Sequence, residues 1–287
     1  MIELADLPEL TDPVMIAAFE GWNDAGEAAT SAVEHLARVW KAEPFAALDP
    51  EDYYDFQVNR PTVGTDDDGR RRVTWPTTRL LAARVPSIGR DIVIVDGIEP
   101  SMRWRGYAVE LLECADRLGV TALITIGALL ADVPHTRPIP ITSTSDDPSM
   151  LENLHVEQSQ YEGPTGIVGV LSDAAAQAGL PGVSLWAAVP HYAGAGPSPK
   201  ASLALLRRIE DLLDVPIPLE DLPELAQAWE RGVDELAEGD SEVGDYVRAL
   251  EQAKDTTELP EASGEAIAQE FERYLRRRDD DPPKPPR

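Results

Sequence analysis

The sequence predicts an α/β domain built on a largely parallel sheet, and three observations predict it. Short apolar runs at residues 14–19, 91–96, 121–126 and 183–189 alternate with amphipathic stretches of helical period. Each run ends in a loop rich in glycine, proline and polar residues, as the carboxyl ends of parallel strands do. The alternation stops at Val215-Pro216-Ile217-Pro218, beyond which only helical spacing continues.

Taken in order, Val14-Met15-Ile16-Ala17-Ala18-Phe19 reads as a buried strand ending at Gly21. The loop at residues 21–26 follows, and Asn23 or Asp24 is placed to cap a helix that runs to about Trp40. Residues 49–85 break the rhythm. Tyr53, Tyr54, Phe56 and Val58 precede a Thr65-Asp66-Asp67-Asp68-Gly69 turn, with Val73, Trp75 and Leu80-Leu81 after it, which predicts a β-hairpin at the edge of the main sheet or projecting from it. Arg70-Arg71-Arg72 beside that turn is expected to pair locally with the adjacent acids. A strand at 91–96, a helix from Trp104 to Leu118 stopped by Gly119, and a strand at 121–126 ending at Gly127 restore the pattern.

The proline-rich segment 133–142 is expected to be a loop leading into a strand, and 149–156 a short helix. Gly163-Pro164-Thr165-Gly166 reads as a turn before a strand at 167–171 and a helix at 172–178. The series closes with the strand 183–189, the sequence Pro190-His191-Tyr192, and a helix at 199–213. Residues 1–213 thus form the α/β core, with the hairpin inserted at about 49–85, and residues 214–278 an acidic helical region. In the latter, Leu222, Leu225, Trp229, Val233 and Leu236 mark one amphipathic helix. Val243, Tyr246, Val247 and Leu250 mark a second, and Ile267, Phe271, Tyr274 and Leu275 a third. Residues 279–287, rich in proline and charge, are expected to be disordered.

With 25 basic and 52 acidic residues, the chain carries a formal net charge of -27. Residues 214–287 contribute 21 acids and 9 bases, so both parts of the chain are acidic. That balance opposes binding to nucleic-acid phosphates or to an anionic membrane surface. No apolar run approaches the roughly 20 residues of a membrane span, and no secretory leader is recognisable, so a cytoplasmic protein is expected. The lone Cys114 lies in an amphipathic helical run and reads as a buried structural thiol.

Ligands of open α/β sheets bind beyond the carboxyl ends of the strands. The loops expected there carry Glu20, Asn23, Asp24, His135, Thr136, Arg137, His191 and Tyr192, which form the candidate ligand pocket. In a functional reading Arg137 holds an anion while His135 or His191 moves protons. In a structural reading Asn23 and Asp24 cap a helix, Arg137 pairs with a surface acid, and the histidines bond loop carbonyls. The sequence shows no recognised nucleophile–base spacing, which favours the structural reading and assigns no catalytic residue. His35, His135, His155 and His191 are far apart with no metal-binding motif, so no metal or cofactor is expected. Ser184 sits inside an expected strand and on no GxSxG elbow, which argues against a hydrolase triad with Asp173 and His191.

The combination Phe19-Glu20-Gly21-Trp22-Asn23-Asp24-Ala25-Gly26, His135-Thr136-Arg137-Pro138, Tyr161-Glu162-Gly163-Pro164-Thr165-Gly166-Ile167, Ser184-Leu185-Trp186-Ala187 and Val189-Pro190-His191-Tyr192 resembles the PAC2 family, named for a proteasome assembly chaperone. The match runs in order over about residues 13–213, and the hairpin and acidic end look like the branch found in proteasome-bearing bacteria. The resemblance implies a three-layer α/β/α fold with a mainly parallel or mixed sheet, similar to purine nucleoside phosphorylases. It also implies self-association, with a trimer as the expected form, and proteasome subunits as partners. It carries over no catalytic residue. Family chaperones often dock through a C-terminal hydrophobic-Tyr-X motif, whereas this sequence finishes Pro282-Pro283-Lys284-Pro285-Pro286-Arg287 and its Tyr274-Leu275 pair is internal. Two functions follow as expectations: a non-enzymatic assembly or binding protein, or else an enzyme or sensor for a nucleoside-like or anionic small molecule.

Overall fold

The computed structural model describes residues 7–258 apart from 67, 86–88 and 155. The third C-terminal apolar stripe, the 279–287 tail and His155 lie outside the described residues. Seven strands form a mixed sheet in the order β2-β5-β6-β1-β7-β9-β8. Its centre is parallel: β1 (Val14–Glu20) lies between β6 (Arg90–Ile98) and β7 (Ala122–Ala131), and β7 pairs with β9 (Gly182–Pro190). Antiparallel strands flank it, β5 (Arg79–Val85) and β2 (Glu43–Ala47) on one side and β8 (Ile141–Thr144) on the other. Both edges are interrupted. Pro44 and a register shift between Pro44 and Ala46 break β2, while Glu157 bonds the outer edge of β8 through Ser143 and Ser145.

Alternate residues of each central strand feed two cores. On one face Ile16, Ala18, Ile94 and Ile126 pack against α1 (Ala28–Val39) and α5 (Pro199–Leu213). On the other face Met15, Phe19 and Val93 pack against α2 (Trp104–Leu118) and α4 (Ile167–Gln177). Tyr107 at the start of α2 is fully buried and meets the rings of Phe19 and Tyr53 edge-on, with centroids 5.9 and 5.2 Å away. Cys114 is buried in this second core, and burial pushes its thiol up to about 11, so it stays protonated near neutrality. The result is a three-layer α/β/α domain.

Three elements differ from the sequence expectation. Residues 167–171, expected as a strand, begin helix α4 instead. Ile167, Val168, Leu171 and Ala175 are its buried residues, a helical spacing that the run of β-branched side chains disguises. Gly166 therefore opens a helix. The strand β2 went unpredicted because Glu43-Pro44-Phe45-Ala46-Ala47 has almost no alternation. β7 runs past Gly127 to Ala131, since that glycine is a packing residue and not a strand end: a Cβ there would stand 2.7 Å from the Trp186 indole.

The expected hairpin is β3 (Thr62–Thr65) paired with β4 (Arg71–Thr74) in a separate two-stranded sheet, every residue of which is exposed. Arg72 pairs with Asp66 within it. Helix α3 (Pro148–Asn153) follows β8, capped by Asp147, which accepts the Ser149 and Met150 N–H groups. Beyond α5 the chain continues into α6 (Leu222–Gly239) and α7 (Ser241–Glu258). α6 buries Ala226 and Val233, and Val247 is the buried apolar side chain of α7.

Candidate functional site

The carboxyl ends of the strands gather the expected loops, yet the eight candidate residues fall into two groups with different neighbours. Asn23 and Asp24 belong to the β1–α1 loop. The Asp24 carboxylate accepts the Ala29 N–H at 2.7 Å and the Thr30 hydroxyl, so it holds the first turn of α1 from one short helical turn upstream. Burial pushes the Asp24 carboxyl up, and the bonds from Thr30 and Ala29 oppose that shift. Asn23 is 1 % exposed. Its Nδ2 donates to Glu99 Oε1 at 2.7 Å, and the same oxygen accepts the Ile167 N–H at 2.9 Å. A carboxylate from the β6–α2 loop thus binds the N-terminus of α4 to the β1–α1 loop, a favourable place for a negative charge. Gly166 is required there: its Cβ would come within 2.3–2.6 Å of Asn23 and Glu99. Glu20 is exposed at the end of β1, and partial burial together with the charges of Asp96, Asp24, Glu34 and Glu27 pushes its carboxyl up.

His135, Thr136, Arg137, His191 and Tyr192 form the second group, and α6 and α7 lie across it. His135 is 1 % exposed. The Tyr192 hydroxyl accepts the His135 backbone N–H at 2.8 Å and lies 2.8 Å from Nδ1, while Nε2 is 3.0 Å from Asp234 of α6. This bond set suits the tautomer with its proton on Nε2, the tyrosine donating to Nδ1. Lys200 bonds both the His135 carbonyl and Glu230 at 2.5 Å. Thr136 donates to Glu251 of α7 at 2.5 Å. Arg137 grips Asp255 with two parallel bonds of 2.9 and 2.8 Å and reaches Glu251 at 3.3 Å. That bidentate pair holds the Asp255 carboxyl below its usual value. His191 lies 3.3 Å from Asp132, which also accepts the Tyr246 hydroxyl at 2.9 Å. The rings of His191, Tyr192 and Tyr246 meet edge to face. Arg137 is therefore committed to acids of the same chain.

A cavity of about 1130 Å³ lies elsewhere, and Asp24 is the one of the eight candidates that lines it. It is a trench on the second face of the sheet, between α4 and the strands β9 and β8. Its floor carries hydroxyls: Thr125 Oγ1 is 2.9 Å from Ser172 Oγ and donates to Ser184 Oγ at 3.1 Å, which also accepts the Trp186 indole N–H at 3.0 Å. Leu129, Leu130, Trp22 and Tyr161 stand exposed around its mouth. Among the described residues that line it there is no Lys, Arg or His, and they include Asp146, Asp147 and Asp173. The sequence pattern hides this trench because the first turns of its wall α4, residues 167–171, read as a strand, with a helix only from 172. Ser184 finds Thr125 and Trp186 as its hydrogen-bond partners, an arrangement of packing and not of nucleophilic activation. Among the described residues no group of three His, Cys, Asp or Glu side chains is arranged to hold a metal ion.

The comparisons with known proteins agree with this architecture. The family model described as the PAC2 family matches residues 18–237. A crystal structure of a PAC2 family protein from Streptomyces avermitilis is 61 % identical, covering 82 % of this chain and 100 % of that one, with a TM-score of 0.78. The proteasome-assembly chaperone homologue of Mycobacterium tuberculosis is 50 % identical over 82 % of this chain and 99 % of its own, with a TM-score of 0.74. An archaeal proteasome activator from Pyrococcus furiosus, 21 % identical over 82 % of this chain and 98 % of its own with a TM-score of 0.65, shares the fold. A search of curated proteins returned no match. The chain belongs to the PAC2 family.

Proposed function

We propose that the protein is a non-enzymatic assembly or binding protein that engages proteasome subunits. The observation that carries this reading is the 50 % identity with the mycobacterial proteasome-assembly chaperone homologue, over nearly all of that chain. The disposition of the polar residues supports it. Arg137 is satisfied by Asp255 and Glu251, and the described residues lining the trench include acids and no cation, which disfavours an anionic small molecule. Among the described residues no helix is long and apolar enough to cross a membrane, in keeping with work in the cytoplasm.

The reading includes self-association, with a trimer as the expected form. The hairpin and its flank support it, since Val58, Val63, Val73 and Trp75 are 74, 58, 52 and 46 % exposed on a projecting element. Affinity purification from native lysate, followed by sizing of the complex, tests both parts. Proteasome subunits should co-purify and the protein should elute above its 31.3 kDa chain mass. Absence of every proteasome component, together with normal proteasome assembly in a strain lacking the gene, would end the chaperone reading. A monomer in solution would end the self-association reading alone.

A further inference from the structure

Among the described residues the two faces of the sheet are covered unequally. On the first face α5 packs over β9 and reaches β8. On the second face α4 is the last helix, and the trench opens beyond it. Its lining extends from Gly182 at the start of β9 to Gly194 past its end. Nine residues of strand at about 3.3 Å each make it roughly 30 Å long. That length exceeds a compact metabolite and suits a stretch of polypeptide.

The chemistry of the trench changes from floor to rim. On the floor Thr125, Ser172, Ser184 and the Trp186 indole N–H bond one another, so an apolar side chain can lie over them without stranding a polar group. At the mouth Trp22, Leu129, Leu130 and Tyr161 are 66, 44, 54 and 67 % exposed. Large apolar side chains gathered around one concavity mark an interaction surface, and tryptophan and tyrosine are the usual anchors of one. The rim is acidic. Asp147 is committed to capping α3, but Asp146 and Asp173 are exposed and form no ion pair among the described residues. The one bond to Asp173, from Gln177 Nε2 at 2.7 Å, comes from a neutral donor and leaves its charge uncompensated.

We propose that the trench holds a segment of this chain's protein partner, and that the segment carries apolar side chains flanked by Lys or Arg. The assignment rests on the reading of the chain as a binding protein and adds where the partner sits. Apolar side chains of the segment cover the floor and meet Trp22 and Tyr161. Its cations face Asp146 and Asp173, and an arginine can stack on the aromatic rings as well. The net charge of -27 favours a basic partner over a second copy of this chain at this surface.

Overlapping peptides of about 15 residues, covering the proteasome α and β subunits of the same organism, test this with the full-length chain. The protein should bind a subset in which Leu, Ile or Phe neighbours Lys or Arg. For the best of these, Trp22→Ala and Tyr161→Ala should each weaken binding about tenfold or more in fluorescence polarisation. Asp146→Asn with Asp173→Asn should weaken it about fivefold in 0.05 M NaCl and little in 1 M. Glu238→Gln with Glu242→Gln, the same charge change on exposed positions of α6 and α7, should stay within about twofold of the wild type. The proposal is overturned if the full-length chain binds no peptide, or if both aromatic variants melt like the wild type and bind as well as it does. A loss as large in the α6–α7 control as in the trench pair also overturns it. Failure of Trp22→Ala to self-associate, with peptide binding unchanged, would give the trench to a second copy and overturn it too. Proteasome subunits that co-purify undiminished with the double aromatic variant would sink this surface alone and leave the assembly reading standing.

Discussion

The α/β body and the paired C-terminal helices are held by opposite kinds of contact. The body buries two continuous apolar cores, one on each face of the sheet. Helices α6 and α7 bury few apolar side chains and are tied down largely by Lys200–Glu230, His135–Asp234, Thr136–Glu251 and Arg137–Asp255. Apolar burial is indifferent to salt at moderate concentration, whereas partly exposed ion pairs are screened within about 10 Å at 0.1 M. The body should therefore set the stability of the molecule, and the seam should be the part that solution conditions adjust.

Core truncation should break the comparison most decisively. Leu111→Ala, at a fully buried position of α2, is expected to cost about 2–5 kcal/mol in chemical denaturation, since the well-packed second core cannot close the cavity. Next in size is Asp24→Ala, which removes the carboxylate that caps α1. The expected loss is about 1–2 kcal/mol, read as a lower midpoint of denaturation. Arg137→Ala should leave the global midpoint nearly unchanged. Its effect should appear in hydrogen exchange, with faster exchange of α7 amides than of the amides of β1 and β6. Raising NaCl from 0.05 to 1 M should reproduce that pattern in the unmutated chain, and equal acceleration in both regions would contradict the distinction.

The smallest expected effect is with pH. Arg137 lowers the folded Asp255 carboxyl below its ordinary value of 3.8. For a depressed acid the stabilisation is present above the unfolded value and is lost as pH falls through the folded one. Exchange in α7 should therefore accelerate below about pH 3.8, and Asp255→Asn should remove part of that dependence.

Legibility in the sequence follows the same division. The strands β1, β6 and β9 and the helices α2 and α5 were readable because one-sided or continuous burial imposes period on the sequence. The start of α4 was misread because Ile167-Val168-Gly169-Val170-Leu171 is a short apolar run rich in β-branched residues, the pattern of a buried strand. The gathering of His135, Arg137 and Tyr192 at the strand ends was legible from topology. What meets them was not, because Asp234, Glu251 and Asp255 come from 99 to 118 residues away and nothing local encodes that pairing. The trench was equally hidden, being a space left between elements and not a motif within one.

The interrupted margins of the sheet limit how this molecule meets others. Pro44 cannot donate a ladder hydrogen bond, and β2 shifts register beside it, while Glu157 already occupies the far side of β8. Strand addition to the seven-stranded sheet is therefore hindered at both of its edges, whereas the exposed β3–β4 pair keeps its own. Recognition over the seven-stranded sheet therefore runs through side-chain relief, which can be altered one residue at a time.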